Sequence, residues 1–237
     1  MKHNSAGAIK AVSFDAAGTL FHAFPSVGYH YALEAGRFGV RVDPKIIESR
    51  FRNVFNACGG LATLGNQSSE QAEKSWWRET VLTVFRGFQI PEKFDEFFEA
   101  LYVRFSTKEP WRLFPDVIST LEACKRAGKI LAVLSNWDSR LFRVLSELGI
   151  LPYFCVVVIS AKAGATKPHA QIFDRLKMEL RLKSYEILHV GDNYVCDIEG
   201  AGAAGFLAVH LDRKSVESQN RKENVIHSLY ELTDFVL

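Results

Sequence analysis

The chain has 237 residues, 48% of them apolar and 24% charged, with a formal net charge of +2. That balance belongs to a globular chain long enough for one large domain or for a domain with a sizeable insertion. The small net charge gives no footing for nucleic-acid or anionic-membrane partners. No apolar run reaches the ~20 residues that span a bilayer, and Lys10 breaks the apolar stretch that a secretory signal would need.

The first predicted element is a strand, Ile9–Phe14, which runs into Asp15-Ala16-Ala17-Gly18-Thr19. From Phe21 to Lys108 no strand pattern is evident. Instead, Ile47, Phe51, Val54 and Phe55 form one helical stripe, Trp77, Val81, Val84, Phe85 and Phe88 a second, and Phe94, Phe97, Phe98, Leu101 and Phe105 a third. This block reads as a helical cap whose aromatics mostly pack its own core. Four more apolar strands follow, Lys129–Leu134, Cys155–Ile159, Glu186–Val190 and Phe206–Leu211. Between or before them lie the stripes Val117/Ile118/Leu121/Cys124, Leu141/Phe142/Leu145/Leu148 and Ile172/Phe173/Leu176/Leu180. The polar stretch Ser215–Asn224 reads as a surface connection to a last helix, about Ile226–Val236. Continuous apolar strands alternating with amphipathic helices imply an α/β fold. Its core is expected to be a Rossmann-like parallel sheet with helices on both faces, formed by residues 1–20 and 109–237, with an inserted α-helical cap at 21–108. The four cysteines (Cys58, Cys124, Cys155, Cys196) lack CxxC spacing, which predicts reduced, buried thiols in a cytoplasmic protein.

Polar residues gather where strands end: Asp15, Ser135-Asn136 and Gly191-Asp192. In a parallel sheet those ends share one edge, which is where such folds hold ligands. Asp15 there suits a nucleophile. Taken singly, each residue has a blander reading: Asp15 as a turn residue, Ser135-Asn136 as a helix cap, Lys167 as a surface charge, Asp192 as a loop acid. Asp138 reads as an N-cap, and Pro168 as a helix-start marker.

The ordered set Asp15-x-x-Gly18-Thr19, Ser135-Asn136, Lys167-Pro168 and Gly191-Asp192 to Asp197 resembles the haloacid dehalogenase superfamily from Ile9 to about Asp212. The helical insert matches that superfamily's cap. The resemblance implies a Mg²⁺-dependent phosphatase acting on a small phosphorylated metabolite through an aspartyl-phosphate. Asp15 would be nucleophile and metal ligand, the Ala17 carbonyl and Asp192 further ligands, and Lys167 the neutralising cation. Thr19, the Ser135 hydroxyl and the Asn136 backbone N–H would hold phosphate oxygens, and Asp197 would orient Lys167 or a metal-bound water from behind.

One departure matters. Phosphatases of the superfamily usually carry a second Asp where this chain has Ala17, and that Asp is the general acid and base, typically worth ~10²–10⁴ in rate. A slow phosphatase of substrates with good leaving groups, or a substitute acid from His22 or His30, would reconcile the sequence with the reaction. The alternatives are a phosphonate hydrolase with a cap lysine (Lys45, Lys74 or Lys93) as Schiff base, a haloacid hydrolase, or a non-catalytic binding or regulatory protein. Lys162 and His169 also stand where relatives often carry acids. Gly200–Gly205 matches GxGxxG, but it closes a helix rather than opening one after a strand, so it reads as packing and a glycine C-cap. Asn66-Gln67-Ser68 matches a glycosylation acceptor without a secretory signal.

Overall fold

The computed structural model describes residues 9–214 and 224–236. Among these, six strands form one parallel sheet: β1 (Ala11–Phe14), β4 (Ile130–Ser135), β5 (Val156–Ile159), β6 (Ile187–Gly191), β7 (Leu207–Leu211) and β8 (Val225–Ile226), in the order β5-β4-β1-β6-β7-β8. A separate antiparallel pair, β2 (Phe21–Ala23) with β3 (Trp111–Leu113), flanks the cap insert. β1 is central, pairing Val12 with Leu131 on one side and Leu188 on the other.

Side chains alternate across the sheet because successive residues of a strand point to opposite faces. Val12, Phe14, Leu131 and Val133 meet α5 (Val117–Arg126) and α6 (Arg140–Glu147) in one core cluster, while Ala11, Ala132 and Leu134 meet α8 (Ala170–Leu180) in another. The residues of the predicted helical faces are buried or half-buried, except Ile118, which is 37% exposed.

Four helices carry the insert: α1 (Val27–Arg37), α2 (Pro44–Ala57), α3 (Glu70–Phe85) and α4 (Phe94–Arg104). They bury Tyr31, Ile47, Val84, Phe85, Phe97 and Leu101 in a cluster of their own. Local chemistry starts them. Ser26, Asp43 and Ser69 each accept a backbone N–H at the helix start, and Pro44 stands in the first turn of α2.

Three expectations are corrected. The stretch from Phe21 holds a strand, β2, too short to produce a pattern and paired with residues about ninety positions away. The last segment starts as β8 and passes through a 3₁₀ turn, Leu229–Leu232, before only a single helical turn at Thr233–Val236, α10. The alternation of a two-residue strand is invisible in sequence. Cys58 and Cys155 are exposed, Cys58 as the C-cap residue of α2 and Cys155 beside the edge strand β5, while Cys124 is buried; all four thiols are free. Residues 215–223 of the predicted polar connection lie outside the described residues. Among the described residues no helix is long and apolar enough to cross a membrane.

The cap closes against the sheet through polar contacts. The Tyr102 hydroxyl donates to Asp138 Oδ2 (2.7 Å), and the Arg140 guanidinium lies 3.5 Å over the Tyr102 ring. Glu70 accepts from Ser139 N (3.1 Å). The Thr166 N–H donates to the Gly65 carbonyl (2.8 Å), so a cap loop holds the backbone next to Lys167. Glu73 in α3 accepts from Ser68 and from Ser160 at the start of α7 (Ser160–Ala163), both at 2.5 Å. Its Oε2 is buried without a hydrogen bond.

Burial pushes the Glu73 carboxyl up from its ordinary 4.5 to about 7, against the two serine hydroxyls. The folded protein therefore keeps this proton over a range in which the unfolded chain releases it. Stability from this group is complete below pH 4.5 and is lost as pH rises through 7. In urea titrations at pH 4.5 and 7.5, Glu73→Gln should gain on the native chain by on the order of 2–3 kcal/mol across that interval. A pH-independent difference would show that Glu73 is ionised in the folded protein.

Candidate active site

The site lies at the carboxyl ends of β1, β4 and β6. β1 delivers Asp15, β4 ends in Ser135 and is followed by Asn136, and β6 is followed by Asp192. Lys167 reaches the same point from the loop before α8. These residues, 15 to 192 in the chain, form one constellation because all the strands are parallel.

Lys167 is 2% exposed, and its three N–H bonds are all used. Nζ donates to Asp15 Oδ1 (2.7 Å), Asp197 Oδ1 (2.6 Å) and the Leu134 carbonyl (2.9 Å). Burial opposes its charge, but the two carboxylates outweigh it and raise its pKa. Burial likewise acts against ionisation of Asp197, and Lys167 with His189 overcomes it, holding Asp197 well below the carboxylate range. For Asp15 burial is the stronger influence and raises the carboxyl, with Lys167 and Ser135 offsetting part of it.

The predicted residues divide by what they touch. The Ser135 hydroxyl donates to Asp15 Oδ1 (3.0 Å). The Asn136 side chain clamps the Lys167 backbone, donating to its carbonyl (2.9 Å) and accepting its N–H (2.6 Å), so it positions the lysine. Thr19 is fully buried, with its hydroxyl 3.5 Å from Asp192 Oδ1, facing that carboxylate rather than the cavity. Ala17 lines the cavity beside Asp15. Asp138 is not the N-cap of α6 but the residue before it, Ser139 being the N-cap; it is fully buried, accepts the Arg140 N–H and pairs with the Arg140 guanidinium. His169 is the N-cap of α8, and Lys162 lies 4.7 Å over the Phe142 ring. His22 lines the cavity. His30 is buried away from it and donates from Nε2 to the Phe24 carbonyl, with burial lowering its pKa. Lys45, Lys74 and Lys93 do not line the cavity; Lys74 and Lys93 pair on the surface with Glu99 and Glu96.

His189 went unread in the sequence, although a histidine inside an otherwise apolar strand was the available signal. It is fully buried, with Nε2 3.2 Å from Asp197 Oδ1 and Nδ1 2.8 Å from the Ser13 hydroxyl. Burial lowers its pKa, which favours the neutral ring. A carboxylate only accepts, so Nε2 carries the proton and Nδ1 accepts from Ser13. The run Ser13–His189–Asp197–Lys167–Asp15 links the sheet interior to the cavity.

Asp15, Asp192 and Asp197 bring carboxylate oxygens within 4.8 Å of one another. Asp197 is occupied by Lys167, His189 and the Asn193 N–H (2.9 Å). Asp15 and Asp192 are the donors left for a cation. Asp192 is open to the cavity, yet desolvation there, followed by the negative charge of Asp15 and Asp197, holds its proton up to about 7. Such crowding is what a hard divalent cation would relieve, and oxygen donors suit Mg²⁺. Two glycines make the approach possible. A Cβ on Gly18, whose φ is +92°, would lie 2.4 Å from Asp192 Oδ2, and one on Gly191 would lie 2.2 Å from Asp197.

Above these residues a cavity of about 550 Å³ extends from Asp15, Ala17 and Asp192 to Tyr31, Phe51 and Trp77 of the cap.

Residues 9–205 match the family described as hydrolase, haloacid dehalogenase-like hydrolase. The chain is 32% identical over 231 residues to haloacid dehalogenase-like hydrolase domain-containing protein 3 of Homo sapiens, covering 94% of this chain and 92% of that protein. Its fold is similar to a HAD phosphatase from Thermococcus onnurineus (TM-score 0.67, 23% identity, 96% and 98% of the chains). It is also similar to L-2-haloacid dehalogenase from Xanthobacter autotrophicus (TM-score 0.74, 22% identity, 96% and 98%). The chain belongs to the haloacid dehalogenase-like hydrolase family.

Removing the ammonium would leave two buried carboxylates unpaired. Lys167→Met should cost about 3–5 kcal/mol of unfolding free energy at pH 7. The loss should shrink toward pH 4, where the stranded carboxyls take up protons in the folded state. Denaturant titration at both pH values measures this, and an equal loss at both would contradict the pairing.

Proposed function

We propose that this hydrolase cleaves phosphate from a small phosphorylated molecule, with Asp15 as nucleophile and Mg²⁺ as cofactor. The observation that carries the reading is the arrangement around Lys167, whose ammonium is bound by Asp15 at 2.7 Å and by Asp197 at 2.6 Å, with Asp192 in the same cluster. Phosphoryl transfer needs a positioned nucleophile and fixed positive charge where oxygens gather negative charge. Lys167 supplies that charge, and its own position is set by Asn136, Asp197 and the Leu134 carbonyl.

Asp15 would attack phosphorus with one carboxylate oxygen while Lys167 and Ser135 hold the other. Asp192 and Asp15 would hold Mg²⁺, with the Ala17 carbonyl beside them. When bound, the ion supplies further positive charge to the transferring group.

The crowded carboxylates argue for a cation-using enzyme over a metal-free haloacid hydrolase. A Schiff-base phosphonate hydrolase lacks its lysine: among the described residues the cavity-lining lysines are Lys167, which is fully engaged, and Lys214 of the core segment. The non-catalytic alternative predicts binding without turnover.

Acetyl phosphate hydrolysis followed with and without Mg²⁺ tests the reading. The native chain should turn over only with the ion, and Asp15→Asn should lose at least about 10³-fold in kcat. Isothermal titration should show weakened Mg²⁺ binding by Asp192→Asn. Equal turnover by native and Asp15→Asn chains would remove Asp15 as nucleophile.

A further inference from the structure

We propose that the substrate of this site is an aromatic phosphate monoester, one in which the phosphate oxygen is attached directly to an aromatic ring. The inference rests on the phosphatase reading of Asp15 and deepens it by naming the substrate class. Two separate features of the cavity lead to it.

The first is the cavity wall. Trp137, next to Asn136, meets Trp111 at 5.3 Å between ring centroids; Trp111 meets Phe105 at 5.5 Å, Phe105 meets Tyr31 at 5.9 Å, and Tyr31 meets Phe51 at 5.7 Å. All five rings line the cavity, so a continuous aromatic surface runs from the phosphate end into the cap. Two of the charged groups along it are held by protein partners, while His22 and Lys214 also line the cavity. Glu48 accepts from Arg52 (2.9 Å) and from the Gly28 N–H (2.7 Å), and Arg140 is held by Asp138 at 2.8 Å. Laid against these rings, a sugar or other hydroxyl-rich group would lose its water without partners on the wall to replace it. A planar ring loses little hydration and gains edge and face contacts with the wall.

The second is the methyl group of Ala17. It lines the cavity beside the nucleophile, where a proton donor to the leaving oxygen would stand. An alkoxide leaving group, with a pKa near that of water at ~15.7, needs such a donor, whereas a phenol-like oxygen of pKa ~10 leaves as its anion. In the first step Asp15 bonds to phosphorus and the aryl oxygen departs with the bonding pair as phenolate, later taking a proton from water. In the second, water bonds to phosphorus, the bond to Asp15 breaks and its electron pair returns to the carboxylate; both water protons stay on the released phosphate, which gives one to solvent in place of the proton the phenolate took.

The test compares kcat/KM of the full chain with Mg²⁺ on 2-naphthyl phosphate, benzyl phosphate, acetyl phosphate and glycerol 3-phosphate. Naphthyl phosphate should lead. Benzyl phosphate, equally aromatic but with an alkoxide to expel, should trail it by at least about 10²-fold, the range of a missing general acid. Ala17→Asp should close most of that gap. Phe51→Ala, or Phe51→Leu if the alanine variant folds poorly, should raise KM for naphthyl phosphate about tenfold more than for acetyl phosphate. Asp15-dependent turnover of acetyl phosphate with no advantage for naphthyl phosphate, or glycerol 3-phosphate handled as well as it, would overturn the inference and leave the phosphatase reading standing. No Asp15-dependent turnover of any of the four would overturn both.

Discussion

The whole arrangement depends on one buried ammonium. A lysine at 2% exposure is costly unless each N–H finds a partner and its charge is matched. Lys167 meets both conditions only because β1, β4 and β6 end at one place. Leu134 at the end of β4 lends a carbonyl, Asp15 follows β1, and Asp197 comes round after β6. The charge then acts outward. It keeps Asp197 ionised and offsets part of the burial that raises Asp15, while at Asp192 it is outweighed by burial and the neighbouring carboxylates. His189 beneath it completes the support with its Nε2 proton.

The cap is coupled to that centre at short range. Gly65 of the cap holds the Thr166 N–H, one residue before Lys167. Tyr102, Glu70 and Glu73 reach Asp138, Ser139 and Ser160, all on segments that follow β4 or β5. The same closure that shelters the nucleophile therefore shapes the aromatic wall above it. Polar groups end up at the floor of the cavity and rings along its sides, a division suited to a ligand with one charged end and one apolar end.

Much of this was legible because it is local or repetitive. The five predicted strands were readable to within two residues from continuous apolar runs such as Ile130–Leu134, since a strand buried on both faces must be apolar throughout. Asp15, Lys167 and Asp192 stood out as polar residues at strand or helix boundaries. What escaped notice has identifiable reasons. β2 spans three residues and finds its partner across the whole insert. His189 was hidden by the assumption that a central strand is apolar, whereas Ser13 and Asp197 satisfy both its nitrogens. That the Asn136 side chain clamps the Lys167 backbone and that the Thr19 hydroxyl lies 3.5 Å from Asp192 could not be read beforehand, because a residue type does not carry a side chain's direction.

By itself, the sequence determined the class of fold, the order of its elements and the residue types at the sheet edge, because hydrophobic period and turn chemistry are properties of short segments. It also determined that no acid stands at position 17. The tertiary structure alone decided which of those residues meet. It made Lys167 a bridge between Asp15 and Asp197, turned His22 toward the cavity and His30 away from it, and set Trp137, Trp111, Phe105 and Tyr31 in T-shaped contact along one wall. Those relations depend on distances across the chain, and distance across the chain is settled only when the strands align and the cap packs down upon them.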